Sequence, residues 1–146
     1  MSAETTRIAL IAQHNSLRER LQVCTRLATL YRHGAIIGNE LDRALEVLRN
    51  EFAAHNETET AVIRTLLHGP AAWGSLLIDR MLEEHTAEHA AFWELLSGTR
   101  VEVAARIDDL ADELDAHMAA EERTFLAPVT LRDDVIRVRT REESRE

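Results

Sequence analysis

The chain has 146 residues, about one domain's worth and enough for a single packed core. Its 17 basic residues, all arginine, face 26 acidic ones; the net charge of −9 argues against a nucleic-acid partner, and the lack of lysine excludes an ordinary phosphate-binding loop. A single cysteine, Cys24, excludes an internal disulfide and any multi-cysteine zinc or iron–sulfur site, and no apolar run approaches the ~20 residues of a membrane span.

Alanine, leucine, glutamate and arginine dominate, and the few glycines and prolines divide the chain into four helices. The first should run from about Glu4 to Arg32 and stop near Gly34. The second should start after Gly38, with Asn39 as a cap, and end near Leu67, where His68-Gly69-Pro70 is a strong stop. The third runs from about Ala71 to Leu96 and ends at Ser97-Gly98-Thr99. The fourth runs from about Arg100 to Leu126, closed by Pro128. Residues 1–128 therefore form one domain, and the arginine-rich stretch 129–146 reads as a short appendage or mobile end. The first residues, Met1 to Thr6, lack the charged segment and apolar stretch of a secretory signal, so the expectation is a soluble cytoplasmic protein without a membrane partner.

Each helix carries an apolar stripe at spacings of three and four. The stripes are Leu10, Leu17, Leu21, Cys24, Ala28 and Tyr31; then Leu41, Leu45, Leu48, Phe52, Val62 and Leu66. They continue as Ile78, Met81, Phe92 and Leu96, and as Ile107, Leu110, Leu114, Met118 and Phe125. This is the period of helices that bury one face. Short connections make sequential neighbours antiparallel, so the expected fold is all-α, an up-down-up-down four-helix bundle.

Continued through their gaps, the stripes carry polar residues inward. The first helix places His14 on the core face, the second His55 and Glu59, the third His85 and His89, the fourth His117 and Glu121. With alternate helices reversed, these seven fall in a band roughly 15 Å tall. For any one histidine, a satisfied core histidine is the plainer reading. Five together with two glutamates strain that reading, because a buried carboxylate without a partner is strongly unfavourable and no arginine shares these stripes. A metal centre would neutralise them. His55 and Glu59, His85 and His89, and His117 and Glu121 are each four apart, one helical turn, so each pair shares a face. Seven nitrogen and oxygen donors exceed one tetrahedral zinc and suit two six-coordinate ions with bridging carboxylates and a solvent-derived bridge. Imidazole with carboxylate suits iron among redox metals. The residues three before the core histidines are Ile11, Phe52, Leu82, Thr86 and Leu114, none of them the glutamate that a ferritin-like di-iron site requires.

The pattern resembles the hemerythrin family, in particular its bacterial hemerythrin-like, HHE cation-binding branch. The matching residues are His14; His55-Asn56-Glu57-Thr58-Glu59; His85-Thr86-Ala87-Glu88-His89; and His117-Met118-Ala119-Ala120-Glu121-Glu122 followed by Phe125 and Pro128. The likeness covers roughly Ile8 to Pro128. It implies a non-haem centre of two iron ions, oxo- or hydroxo-bridged, with His14, His55, His85, His89 and His117 as terminal ligands. Glu59 and a helix-four carboxylate would bridge. Oxygen-carrying hemerythrins place an aspartate five residues after the last histidine; this chain has Glu121 at four and Glu122 at five. Both can reach, and Glu121 is the one on the core stripe.

The remaining residues have plainer readings. Glu57 is a solvated neighbour, Tyr31, Trp73 and Trp93 are bundle packing, Cys24 is a small buried apolar residue, and His33 and His68 are loop histidines. The tail arginines Arg137, Arg139, Arg141 and Arg145 are solvated charge or a docking peptide for a partner or protein shell. What the resemblance implies is a site for dioxygen, nitric oxide or peroxide. The alternatives are a peroxide- or nitric-oxide-processing di-iron enzyme, separated by sustained turnover; an iron- or redox-responsive regulatory module, separated by metal-dependent folding; and a metal-free bundle, which the two inward glutamates disfavour.

Overall fold

The computed structural model describes residues 2–67, 75–124 and 126–127, with backbone alone at 66, 67, 75–78 and 81. These residues form four helices and no strand: α1 (Ala3–Arg32), α2 (Gly38–Leu67), α3 (Ser75–Leu96) and α4 (Arg100–Arg123). Consecutive helices pack on each other, α1 closes against α4, and α2 touches α4 across the middle. Side-chain links give the directions. Along the α1–α4 seam, Arg7 Nε donates to the Leu126 carbonyl, Arg18 Nε to Asp115, and Arg32 to Asp108, so one chain number rises as the other falls. The same reversal holds between α1 and α2, where Gln13 meets His55 and Arg20 meets Glu51.

The helix ends follow local chemistry. Ser2 caps α1 by accepting from the Thr5 N–H, which starts that helix one residue earlier than Glu4. Helix α2 begins at Gly38 itself: the Leu41 N–H already bonds the Ile37 carbonyl at 3.0 Å, so Asn39 lies inside the helix and does not cap it. Thr99 and Glu102 form a reciprocal capping box at the start of α4. That helix ends at Arg123, short of the expected Leu126, because Thr124 leaves helical geometry at ψ −98°. Gly34 takes φ +92° in the α1–α2 connection, a conformation that favours glycine.

The core is built by the anticipated stripes, with two corrections. In α2 the stripe reaches Ile63, fully buried, whereas Val62 is half-buried; from Glu59 a four-residue step keeps the face that a three-residue step leaves. Trp93 is 42% exposed and is not bundle packing, being one residue off the buried Phe92 and Leu96 row. Tyr31 packs on the core edge under the Arg100 guanidinium, Cys24 is fully buried, and Glu57 and His33 are exposed, as their spacing indicates. The side chains of Leu66, Ile78 and Met81, the start of α3 at Ala71, and His68, Gly69, Pro70, Trp73, Phe125, Pro128 and the 129–146 tail lie outside the described residues. One apolar cluster runs from Ala28 and Leu41 to Phe52, Leu114 and Met118. Leu10, Ile63 and Leu126 are buried outside that cluster, and the polar residues of the stripes lie between.

Candidate metal centre

All four helices feed that polar layer. His14 on α1 lies one turn from Leu10 and Leu17, and His55 and Glu59 on α2 lie between Phe52 and Ile63. His85 and His89 on α3 precede Phe92, and His117 and Glu121 on α4 follow Leu114. Each helix is held in rotation by its leucines and phenylalanines, so the polar members of the same stripe must face inward with them. His14 and Glu59 have no exposure, His55, His85, His89 and Glu121 are buried, and His117 is nearly so.

The side chains sort into two groups that share a carboxylate. Ligand atoms of His14, His55, Glu59 and Glu121 all lie within 4.8 Å of one another, and so do those of His85, His89, His117 and Glu121. Glu121 stands between them: its carboxylate oxygens are 3.6 Å from His14 Nε2, 3.3 Å from His85 Nδ1 and 3.2 Å from His117 Nε2. Glu59 also spans the two, touching His55 and lying 3.9 Å from His14 Nε2 and 3.8 Å from His89 Nε2. His14 and His55 pack edge to face with centroids 4.7 Å apart, as do His89 and His117 at 5.3 Å, whereas His85 stacks on His117 at 5.7 Å. Phe52 and Phe92 close on His89 and His117 at 5.5 and 5.6 Å.

Electrostatics show what the layer lacks. Both nitrogens of His14, Nε2 of His55, His89 and His117, and all four oxygens of Glu59 and Glu121 are buried without a hydrogen-bond partner. Groups so placed normally find partners, since each one left without costs about 1–3 kcal/mol. Burial, reinforced by the facing Glu59 carboxylate, pushes Glu121 up to about 12. Burial also opposes ionisation of Glu59, but His14 and His55 beside it outweigh burial and hold it below the usual carboxylate range. The protein alone thus keeps one carboxyl charged and the other protonated. Burial lowers His85 to about 4, and burial with the neighbouring His85 lowers His89 to about 3, so both imidazoles are neutral near pH 7, the form in which a ring nitrogen can ligate a cation. A divalent ion fits each group by donor chemistry: imidazoles and carboxylates, buried and convergent.

The profile of the hemerythrin HHE cation-binding domain matches residues 6–129. The chain belongs to that family. Neither the comparison with curated proteins nor that with solved structures gave a match. The hemerythrin domain therefore spans all four helices, and its buried His/Glu clusters form the candidate metal-binding site.

Every inward residue anticipated from spacing lies in one of the two groups, and Glu122 in neither. Glu122 is half-buried, bonded through both oxygens to Arg18 at 3.1 and 2.9 Å, and its charge is favoured by that contact. It meets the back of the His14 ring, with Oε1 3.6 Å from Nδ1. Three supporting residues escaped the stripe reading: Gln13, whose Oε1 lies 2.7 Å from His55 Nδ1; Glu88, in contact with His117 Nδ1; and Arg18. Each sits one or more positions off the buried row, where helical period carries no signal.

Proposed function

We propose that this hemerythrin domain holds two iron ions and binds a small ligand, dioxygen, nitric oxide or peroxide, in the bundle core. The observation that carries the reading is the convergence of buried, unsatisfied imidazole and carboxylate atoms from all four helices into two groups sharing Glu121. His14, His55, Glu59 and Glu121 would hold one ion; His85, His89, His117 and Glu121 the other, with Glu59 reaching toward both. An oxo or hydroxo bridge would complete the pair. Bound there, such a pair supplies two-electron exchange with a small ligand at an open coordination position. The first group brings two imidazoles and the second three, so by donor count the residues of the first group would leave more room for a small ligand.

The chain's own residues do the rest. Burial keeps His85 and His89 in the neutral form that a cation requires. Glu59 and Glu121 together offset two positive charges that the helix core could not otherwise hold. Leu10, Leu17, Phe52 and Ile63 keep bulk water from the His14 and Glu59 side, where exposure is nil. Glu121 holds a proton in the metal-free layer, which it must release to become a ligand. Iron uptake is therefore expected to release protons and to weaken as pH falls.

The test is metal content with a visible spectrum on protein produced with iron, before and after reduction and exposure to air. Two irons per chain, with oxo-bridge bands that respond to reduction, azide or peroxide, are expected. One zinc, or no metal after a fair iron supply, overturns the reading. Sustained consumption of peroxide or nitric oxide by the iron-loaded protein would make it an enzyme; stoichiometric, reversible binding makes it a carrier or sensor.

A further inference from the structure

Three histidines of the polar layer meet a polar group at the back of the ring. Gln13 stands behind His55, Glu122 behind His14, and Glu88 behind His117. The three differ in charge. Gln13 carries none, and Glu122 gives both oxygens to Arg18. Glu88 brings a carboxylate directly onto Nδ1 of its ring. His117 is also the most exposed of the five, at 11%, and α3 packs on α4 less extensively than it packs on α2. The His117 ring is thus more open to solvent than that of His14 or His55.

We infer that Glu88 is the positioning residue for the second metal, accepting the Nδ1–H of His117 and so fixing the tautomer and rotation that aim Nε2 into the cluster. This rests on the two-metal reading above. The geometry runs in one line across the α3–α4 seam: Glu88 Oε2 touches Nδ1, and on the far side of the ring Nε2 lies 3.2 Å from Glu121 Oε1. A ring held at Nδ1 by an acceptor has its lone pair on Nε2, and a carboxylate acceptor makes that nitrogen the stronger donor. Glu88 itself is half exposed, which leaves its oxygens reachable by water and keeps it out of the ligand set. It lies three residues after His85 and one before His89, so α3 presents two ligands on its buried face and, from the edge of that face, the support for a third on α4.

The experiment uses E88A, E88Q and E57A beside the unaltered protein, each titrated with Co(II) in competition with a chelator after the metal-free forms have been melted. Glu57 is exposed on α2 between two proposed ligands, and its removal takes away a nearby charge. The unaltered chain is expected to bind two Co(II). E88A should weaken one of them roughly 10–100-fold and leave the other, the usual cost of losing a ligand's supporting partner. E88Q, whose amide oxygen still accepts the proton, should recover most of that loss, and E57A should match the unaltered protein. In the cobalt-loaded protein one exchangeable imidazole N–H resonance should persist in E88Q and vanish by solvent exchange in E88A. Unchanged cobalt affinities and an unchanged resonance in E88A overturn the inference. So does a lowered melting temperature of metal-free E88A with both affinities intact, which would make Glu88 only a tie between α3 and α4. An unaltered protein that takes up no Co(II) is a different result, and removes the two-metal reading itself.

Discussion

Glu121 and Glu122 are neighbours in sequence and opposites in environment. One helical step of about 100° turns the first into the polar layer and the second onto Arg18 at the layer's edge. Two predictions separate them. Glu121→Met should abolish two-metal binding, an effect larger than the ~10–100-fold of a lost supporting group, yet raise the stability of the metal-free protein by about 1–3 kcal/mol. The second effect follows because a buried carboxyl with no hydrogen-bond partner is replaced by an apolar side chain of similar length. Denaturant melts of the metal-free form and metal analysis of the loaded one read the two signs separately; a loss of metal-free stability would refute the liability assigned to Glu121. Glu122→Ala should keep two metals per chain, because its own contacts go to Arg18 and to the back of His14. At this scale the sequence was legible where side chains are inward. His14, His55, Glu59, His85, His89, His117 and Glu121 stand on the same row as core leucines, and a row of period 3.6 can be extrapolated. Gln13, Glu88 and Arg18 stand where helix faces meet solvent, and nothing in their spacing distinguishes a ring's support from a solvated side chain.

Helices owe their rotation to the stripe and their length to their caps, and the two were not equally legible. The stripe of α1 held from Leu10 to Ala28 because one unbroken row fixes its phase over several turns. In α2 the phase drifted by one residue beyond Glu59, which exchanged Val62 for Ile63. Cap positions depend on single hydrogen bonds and leave a weaker mark in the sequence: Ser2 caps α1 with no periodic signal, and Asn39 has a capping side chain but lies inside α2, whose first bond goes to the Ile37 carbonyl. Thr99 tests the contribution of such a bond. Its hydroxyl accepts from the Glu102 N–H while the Glu102 carboxylate receives the Thr99 N–H. Thr99→Ala should therefore cost about 1 kcal/mol of global stability, seen as a lower melting temperature. Metal stoichiometry should be unchanged, since His117 and Glu121 lie several turns further along α4. A loss of bound metal in that variant would mean that the frame of α4 is set from its N-terminus and not by Leu110, Leu114 and Met118.

For the whole molecule, the polar layer makes stability depend on metal and on pH together. Any ion that binds the folded chain alone stabilises it, by about 2.7 kcal/mol at a hundredfold excess over its dissociation constant. The metal-free protein has a sharper signature. Burial holds His85 and His89 at about 4 and 3, against the ordinary 6.5 of a histidine, so between pH 4.5 and 6.5 the unfolded chain carries two protons that the folded one lacks. Over the same range Glu121, pushed up to about 12 from 4.5, keeps one proton that the unfolded chain has lost. Two less one leaves the unfolded state one proton richer, and stability should rise with pH by about 1.4 kcal/mol per unit. Above 6.5 the histidine difference is gone, only Glu121 remains, and stability should fall at a similar slope. Near pH 9 the Cys24 thiol, raised by burial to about 11, adds to the fall. The metal-free protein should thus be most stable close to pH 6.5, measured as denaturant midpoints from pH 5 to 9. A bound cation takes the place of the Glu121 proton, so the alkaline limb should flatten when metal is restored. Stability that stays level from pH 6.5 to 8 without metal would show that both glutamates are ionised in the folded core, and the pairing of one charged and one protonated carboxyl would be wrong.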